Sequence, residues 1–68
     1  MKKLMVWVVE TKYSDGMDGK SIFSTAEKAE AYLNEYRQKN KADIDVDTGD
    51  AVILNDGEFR EIGVYEVQ

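Results

Sequence analysis

Ser24-Thr25-Ala26-Glu27-Lys28-Ala29-Glu30-Ala31-Tyr32-Leu33-Asn34-Glu35-Tyr36-Arg37-Gln38-Lys39 is the stretch that decides the fold. Ser24 and Glu27 match a capping box, in which the Ser24 hydroxyl accepts from the Glu27 amide while the Glu27 carboxylate reaches back to the Ser24 amide. From Thr25 to about Lys39, Ala26, Ala29, Leu33 and Tyr36 recur at three- and four-residue steps with Tyr32 alongside. This spacing predicts a helix of about four turns with one apolar stripe. Glu27 and Glu30 in its early turns and Arg37, Lys39 and Lys41 near its end complement the helix dipole, and Glu35 to Lys39 is an i,i+4 pair. These charges support the helix, and the stripe needs a sheet to lie on.

The flanking segments supply that sheet. On the N-terminal side, Leu4-Met5-Val6-Trp7-Val8-Val9 is apolar at successive positions and rich in β-branched residues, as expected of a central strand covered on both faces. Ser14-Asp15-Gly16-Met17-Asp18-Gly19 is a loop of turn formers, and Lys20-Ser21-Ile22-Phe23 follows as a short strand. On the C-terminal side, Asn40 is a candidate left-handed cap. Asp43-Ile44-Asp45-Val46-Asp47 alternates acid and apolar residues, which predicts a strand with its acids outward and Ile44 and Val46 in the core. Thr48-Gly49 turns the chain into Asp50-Ala51-Val52-Ile53-Leu54, and Asp56-Gly57 is a turn signal before Ile62-Gly63-Val64-Tyr65-Glu66-Val67. Gly63 marks a bulge or a close approach of the helix. The expected fold class is α+β: an antiparallel four- or five-stranded sheet in β-β-α-β-β order with one amphipathic helix on one face.

Length and composition set the limits. A chain of 68 residues holds a single domain, 1–68, with a thin core. Apolar residues at 43% against 34% charged place it with folding rather than charge-dominated disordered chains. Without cysteine it has no disulfide staples, which fits a reducing compartment. The apolar run Leu4–Val9 is too short for a signal-peptide core or a membrane span, so a cytoplasmic protein is expected. The net charge of −5 disfavours nucleic acid and anionic membranes and favours a partner protein with a basic surface.

The residue inventory argues against catalysis and against a cofactor or bound metal. Histidine and cysteine are absent, which removes the commonest general base, the thiolate nucleophile and the best transition-metal ligands. Ser14, Ser21, Ser24, Thr25 and Thr48 fall in turn, cap or strand-edge contexts without an activating base. Asp43, Asp45, Asp47 and Asp50 do not fit a calcium loop, because the turn glycine would fall on Thr48 and the bidentate acid on Leu54. As alternate residues of a strand, the acids of this cluster would instead project about 6.6 Å apart, close to the phosphate spacing of DNA, and form an acidic row for a basic groove. An ordinary solvated or edge-protecting face is the plain alternative. Exchange of Asp43, Asp45 and Asp47 for Asn is then expected to leave the fold intact or to stabilise it slightly. Tyr13, Tyr36 and Tyr65 are a second candidate surface, with their rings at the core edge and their hydroxyls outward.

Ile22-Phe23-Ser24-Thr25-Ala26-Glu27-Lys28-Ala29-Glu30-Ala31-Tyr32 resembles a pattern of small bacterial and phage proteins: strand, glycine-rich loop, short strand ending in Phe-Ser/Thr, an Ala/Glu/Lys helix, then C-terminal strands. The resemblance implies a sheet backed by one helix. Because some such phage proteins inhibit host defences, anti-CRISPR proteins among them, it also implies an inhibitor. Three functional classes follow: a binding module or inhibitor, a homodimer or larger homo-oligomer paired through sheet edges, and, least favoured, a carboxylate-based enzyme or ion-binding domain.

Overall fold

The computed structural model describes residues Lys3–Val67. They form β1 (Leu4–Lys12), β2 (Asp18–Phe23), α1 (Ala26–Lys39), a short 3-10 turn (Lys41–Asp43), β3 (Ile44–Asp47), β4 (Ala51–Leu54) and β5 (Phe59–Val67). The fold is α+β as expected, with one helix on an antiparallel sheet of five strands in the order β2-β1-β5-β4-β3. Three strands follow the helix, so the element order is β-β-α-β-β-β. The centre belongs to β5, because it pairs along its whole length with β1 and through its first residues with β4.

The helix starts one residue later than the capping box implies. Thr25, not Ser24, is the cap: its backbone is extended and its hydroxyl accepts from the Lys28 amide at 3.3 Å. Glu27 therefore sits one position too early to close a reciprocal box. At the other end Asn40 caps without entering the left-handed region (φ −115°), because its backbone amide and its side-chain amide both donate to the Tyr36 carbonyl, at 3.1 and 3.0 Å. Of the expected stripe, Ala29, Leu33 and Tyr36 are buried, and Ala26 in the first turn is half-buried.

Register shows which side chains meet that stripe, since residues opposite each other across strands share a face. Val9 lies opposite Ser21 and Ile62, and Thr11 opposite Gly19 and Arg60. Arg60 in turn faces Val52. This is the helix face. Leu33, Tyr36, Val52 and Leu54 form its core, with Ile44 and Ile62 packed against them. The other face carries Val8 opposite Ile22 and Gly63, Val6 opposite Tyr65, and Leu4 opposite Val67. Gly63 does not mark a bulge, since pairing with β1 runs unbroken through it, and it lies on the face away from α1. Its role is to make room for Tyr65: a Cβ there would stand 2.9 Å from Cε2 of that ring.

Leu33 is fully buried at the middle of α1. Leu33→Ala should lower the unfolding free energy by about 2–5 kcal/mol, read from urea midpoints at constant m-value, because so thin a core cannot collapse onto the cavity.

Candidate functional site

The aspartate segment is built differently from an acidic row. Ile44 pairs with Leu54 and Asp47 with Val52, so Asp45 and Val46 together oppose Ile53 and β3 carries a bulge. The extra residue reverses the alternation. Ile44 stays on the helix side, whereas Val46 moves to the opposite face and is exposed. Asp47 turns to the helix side, where its carboxylate accepts from Nε and Nη2 of Arg37 and from the Gly49 amide. Arg37 also donates to the Asn34 side chain and to the Gly49 carbonyl, so it ties the helix to the β3–β4 turn. Asp43 ends the 3-10 turn, and Asp50 accepts the Ile62 amide through its backbone carbonyl at 2.9 Å. The four acids therefore do not line one strand face.

Of the three tyrosines, Tyr13 and Tyr36 meet at Arg60 while Tyr65 stands apart on the opposite face. Tyr13 and Tyr65 are exposed, while Tyr36 is buried. The Tyr36 hydroxyl donates to Oε2 of Glu58 at 2.8 Å. Burial, together with the negative charge of Glu58, pushes the phenol well above its ordinary range, so it remains a donor. Over its ring, at 4.3 Å, lies the guanidinium of Arg60, with the Tyr13 ring at 5.1 Å. Arg60 is only 7% exposed. It donates through Nη1 to the Phe59 carbonyl at 3.1 Å, and the same nitrogen stands 3.6 Å from Glu58, while Nε is buried without a partner. A shallow cleft of about 300 Å³ opens beside this group, between Tyr32, Tyr36, Lys39 and Glu58. Each cation there has its acid, Arg60 with Glu58 and Lys39 with Glu35, so no excess charge points into the cleft. The cluster is a charged plug that closes the end of the core. Arg60 and Glu58 escape a reading of the sequence, although Arg60 stands in phase with Ile62 on the inward side of β5.

The larger feature is the face away from the helix. Ile22 is 70% exposed, Leu4 64% and Tyr65 49%, and Val67 joins them on the same surface. Tyr65 lies back over Gly63 towards Glu10, its hydroxyl 3.5 Å from the carboxylate. Beneath these side chains Val8 is buried and Val6 half-buried. At the other end of this face, Glu10, Lys12, Lys20 and Glu61 make the surface polar. The apolar end coincides with a two-stranded ribbon: β2 pairing reaches only Trp7 of β1, and β4 pairing reaches only Glu61 of β5.

Comparison of the chain with protein-family models, with curated proteins and with solved structures finds no match. Among the described residues no group of three or more acids is placed to hold a metal ion. No helix among them is long and apolar enough to cross a membrane.

Two expectations follow from this geometry. Glu58→Ala strands a buried guanidinium and the Tyr36 hydroxyl together and should cost about 1–3 kcal/mol, whereas Arg60→Met fills the same space without charge and should stay within about 1 kcal/mol of wild type. Urea unfolding of the two variants checks the order. The Arg37 guanidinium and the Gly49 amide hold the Asp47 carboxyl below its usual range. A depressed folded-state pKa contributes stability that is present above the unfolded value, near pH 4, and is lost as pH falls through the folded value. Asp47→Asn should therefore destabilise the protein at neutral pH and converge with wild type at low pH, as read from unfolding curves across that range.

Proposed function

We propose that this protein is a binding module whose recognition surface is the sheet face opposite α1, and that its partner is another protein. The observation that carries this reading is the exposure, on one face of the sheet, of Leu4, Tyr65 and Val67 on the β1–β5 ribbon and of Ile22 on β2 opposite Val8. A covered sheet face stabilises a small domain, and a domain with so thin a core leaves apolar side chains in water where a partner covers them. Tyr65 is suited to such a contact, with a large ring held over Gly63 and a hydroxyl that donates to Glu10 at the polar rim of the patch. The overall charge of −5 favours a partner whose own apolar patch is ringed by basic residues, and steers its approach over longer range. Asp43 and Asp45, exposed towards the β3 edge, and Asp50, exposed in the turn before β4, add to that field without forming the contact. Inhibition of an enzyme by occlusion, as the resemblance to phage inhibitors implies, is one form of this activity.

Ile22→Lys tests the surface. Its side chain stands in solvent, so stability should change by no more than about 0.5 kcal/mol. Proteins retained from a cell extract by the immobilised wild type at high salt should be released by this single change. Equal retention by the variant, with unchanged unfolding, would overturn the assignment of the face.

A further inference from the structure

We infer that the outer edge of β5, from Gly63 to Val67, is a self-pairing edge that joins two copies of this chain through an antiparallel β5–β5 contact. The inference extends the binding reading and uses a different surface, the strand edge rather than the sheet face.

The fold guards its two outermost strands and leaves both sides of the β1–β5 ribbon open; on the β1 side, Leu4–Val6, only Met5 directs its amide and carbonyl outward, whereas the β5 side offers two such residues, Val64 and Glu66. At one margin β3 is four residues long, bulged, and carries Asp45 and Asp47; at the other, β2 begins Asp18-Gly19-Lys20. Short length, bulges and charge are the devices that stop edge pairing. Beyond Glu61, β5 has no strand on its β4 side among the described residues, and its sequence there is Gly63-Val64-Tyr65-Glu66-Val67, with a single charge, no bulge and no proline.

Hydrogen-bond direction narrows the contact to one register. The Ile62 amide donates to the Asp50 carbonyl on the β4 side. Because the direction alternates along a strand, Val64 and Glu66 present their amides and carbonyls to that same side, while Gly63 and Tyr65 are turned to β1. A two-fold pairing must oppose outward-directed residues. Centring it on Val64 would require Ile62, which is already engaged by Asp50. Centring it on Glu66 would set that carboxylate against its own copy. Centring it on Tyr65 places Val64 opposite Glu66 of the partner subunit, and Glu66 opposite Val64 of the partner subunit, with all four groups free. No like charges then stand opposite each other, and Tyr65 meets Tyr65 of the partner subunit on the apolar face. The contact is isologous and closes at two copies.

The test uses the full chain. Sedimentation velocity from about 10 µM to about 1 mM should show the mass rising from one chain towards two, as a short edge contact of modest affinity does. Val64→Pro removes an amide that faces outward and serves no bond to β1, and should hold the mass at one chain throughout with an unchanged circular dichroism spectrum. Ile22→Lys, which alters the face alone, should dimerise like wild type. Amide exchange in the wild type gives a reading independent of any variant: Val64 and Glu66 should gain protection at high concentration, and Gly63 and Tyr65 should be protected at both. A single-chain mass across the range, a dimer that survives Val64→Pro, or Val64 and Glu66 amides insensitive to concentration would each overturn the inference. Loss of dimerisation in Ile22→Lys would move the contact from the edge to the face.

Discussion

The mismatch in length between the helix and the strands it covers governs this molecule. Fourteen helical residues rise about 21 Å, whereas a nine-residue strand extends about 30 Å. The helix therefore covers Val9, Ile62, Val52 and Leu54, and the last turn's worth of β1 and β5 runs on past it. The dimensions of 44 × 22 × 15 Å are those of a slab with an arm rather than a sphere. Buried apolar area is gathered at one end, and the exposed aliphatic residues follow as the remainder at the other.

Charge is used differently at the two ends of the helix's footprint. At the inner end a guanidinium between two aromatic rings substitutes for an apolar side chain, held by one carboxylate that also satisfies a phenol. Such a group is tolerated because the rings lend it a face and the acid a counter-charge, at the cost of one orphaned nitrogen. On the solvent side Arg37 fixes Asp47 and the turn after it, which sets the phase of β3 and hence the position of β4 against the core. The acidic composition is thus partly structural: at least one aspartate is committed to holding a strand in register.

What could be read in the sequence and what could not divides along the range of the interactions. The helix stripe of Ala29, Leu33 and Tyr36 was legible because 3.6-residue periodicity is local, and the strands β1 and β4 because continuous β-branched runs are local too. The facing of Val46 was not, since a bulge adds one residue to a period-two pattern and only the partner strand shows it. Phe59-Arg60-Glu61 did not announce itself as strand, with two charges in three residues. Arg60 is stabilised there by Tyr13 and Tyr36, which the fold alone brings together. The central position of β5 rests on pairing between the two ends of the chain, where no local signal exists. Tyr36 was legible as core-facing but not as a donor, because Glu58 reaches it from another element.

The strand at the centre of the sheet is also the one that follows all its neighbours along the chain. β1, β2 and α1 form one contiguous block and β3 with β4 another, and β5 must enter between them before either block is closed. Leu4 pairs with Val67, so that closure carries the entropy of a loop nearly as long as the described chain. Pairing of that range raises the contact order of so small a domain, and slow folding limited by this non-local step is its expected consequence. Until insertion, the inner edges of β1 and β4 stand open together, and the interval before β5 arrives is the period in which this chain is most vulnerable to pairing with the wrong strand.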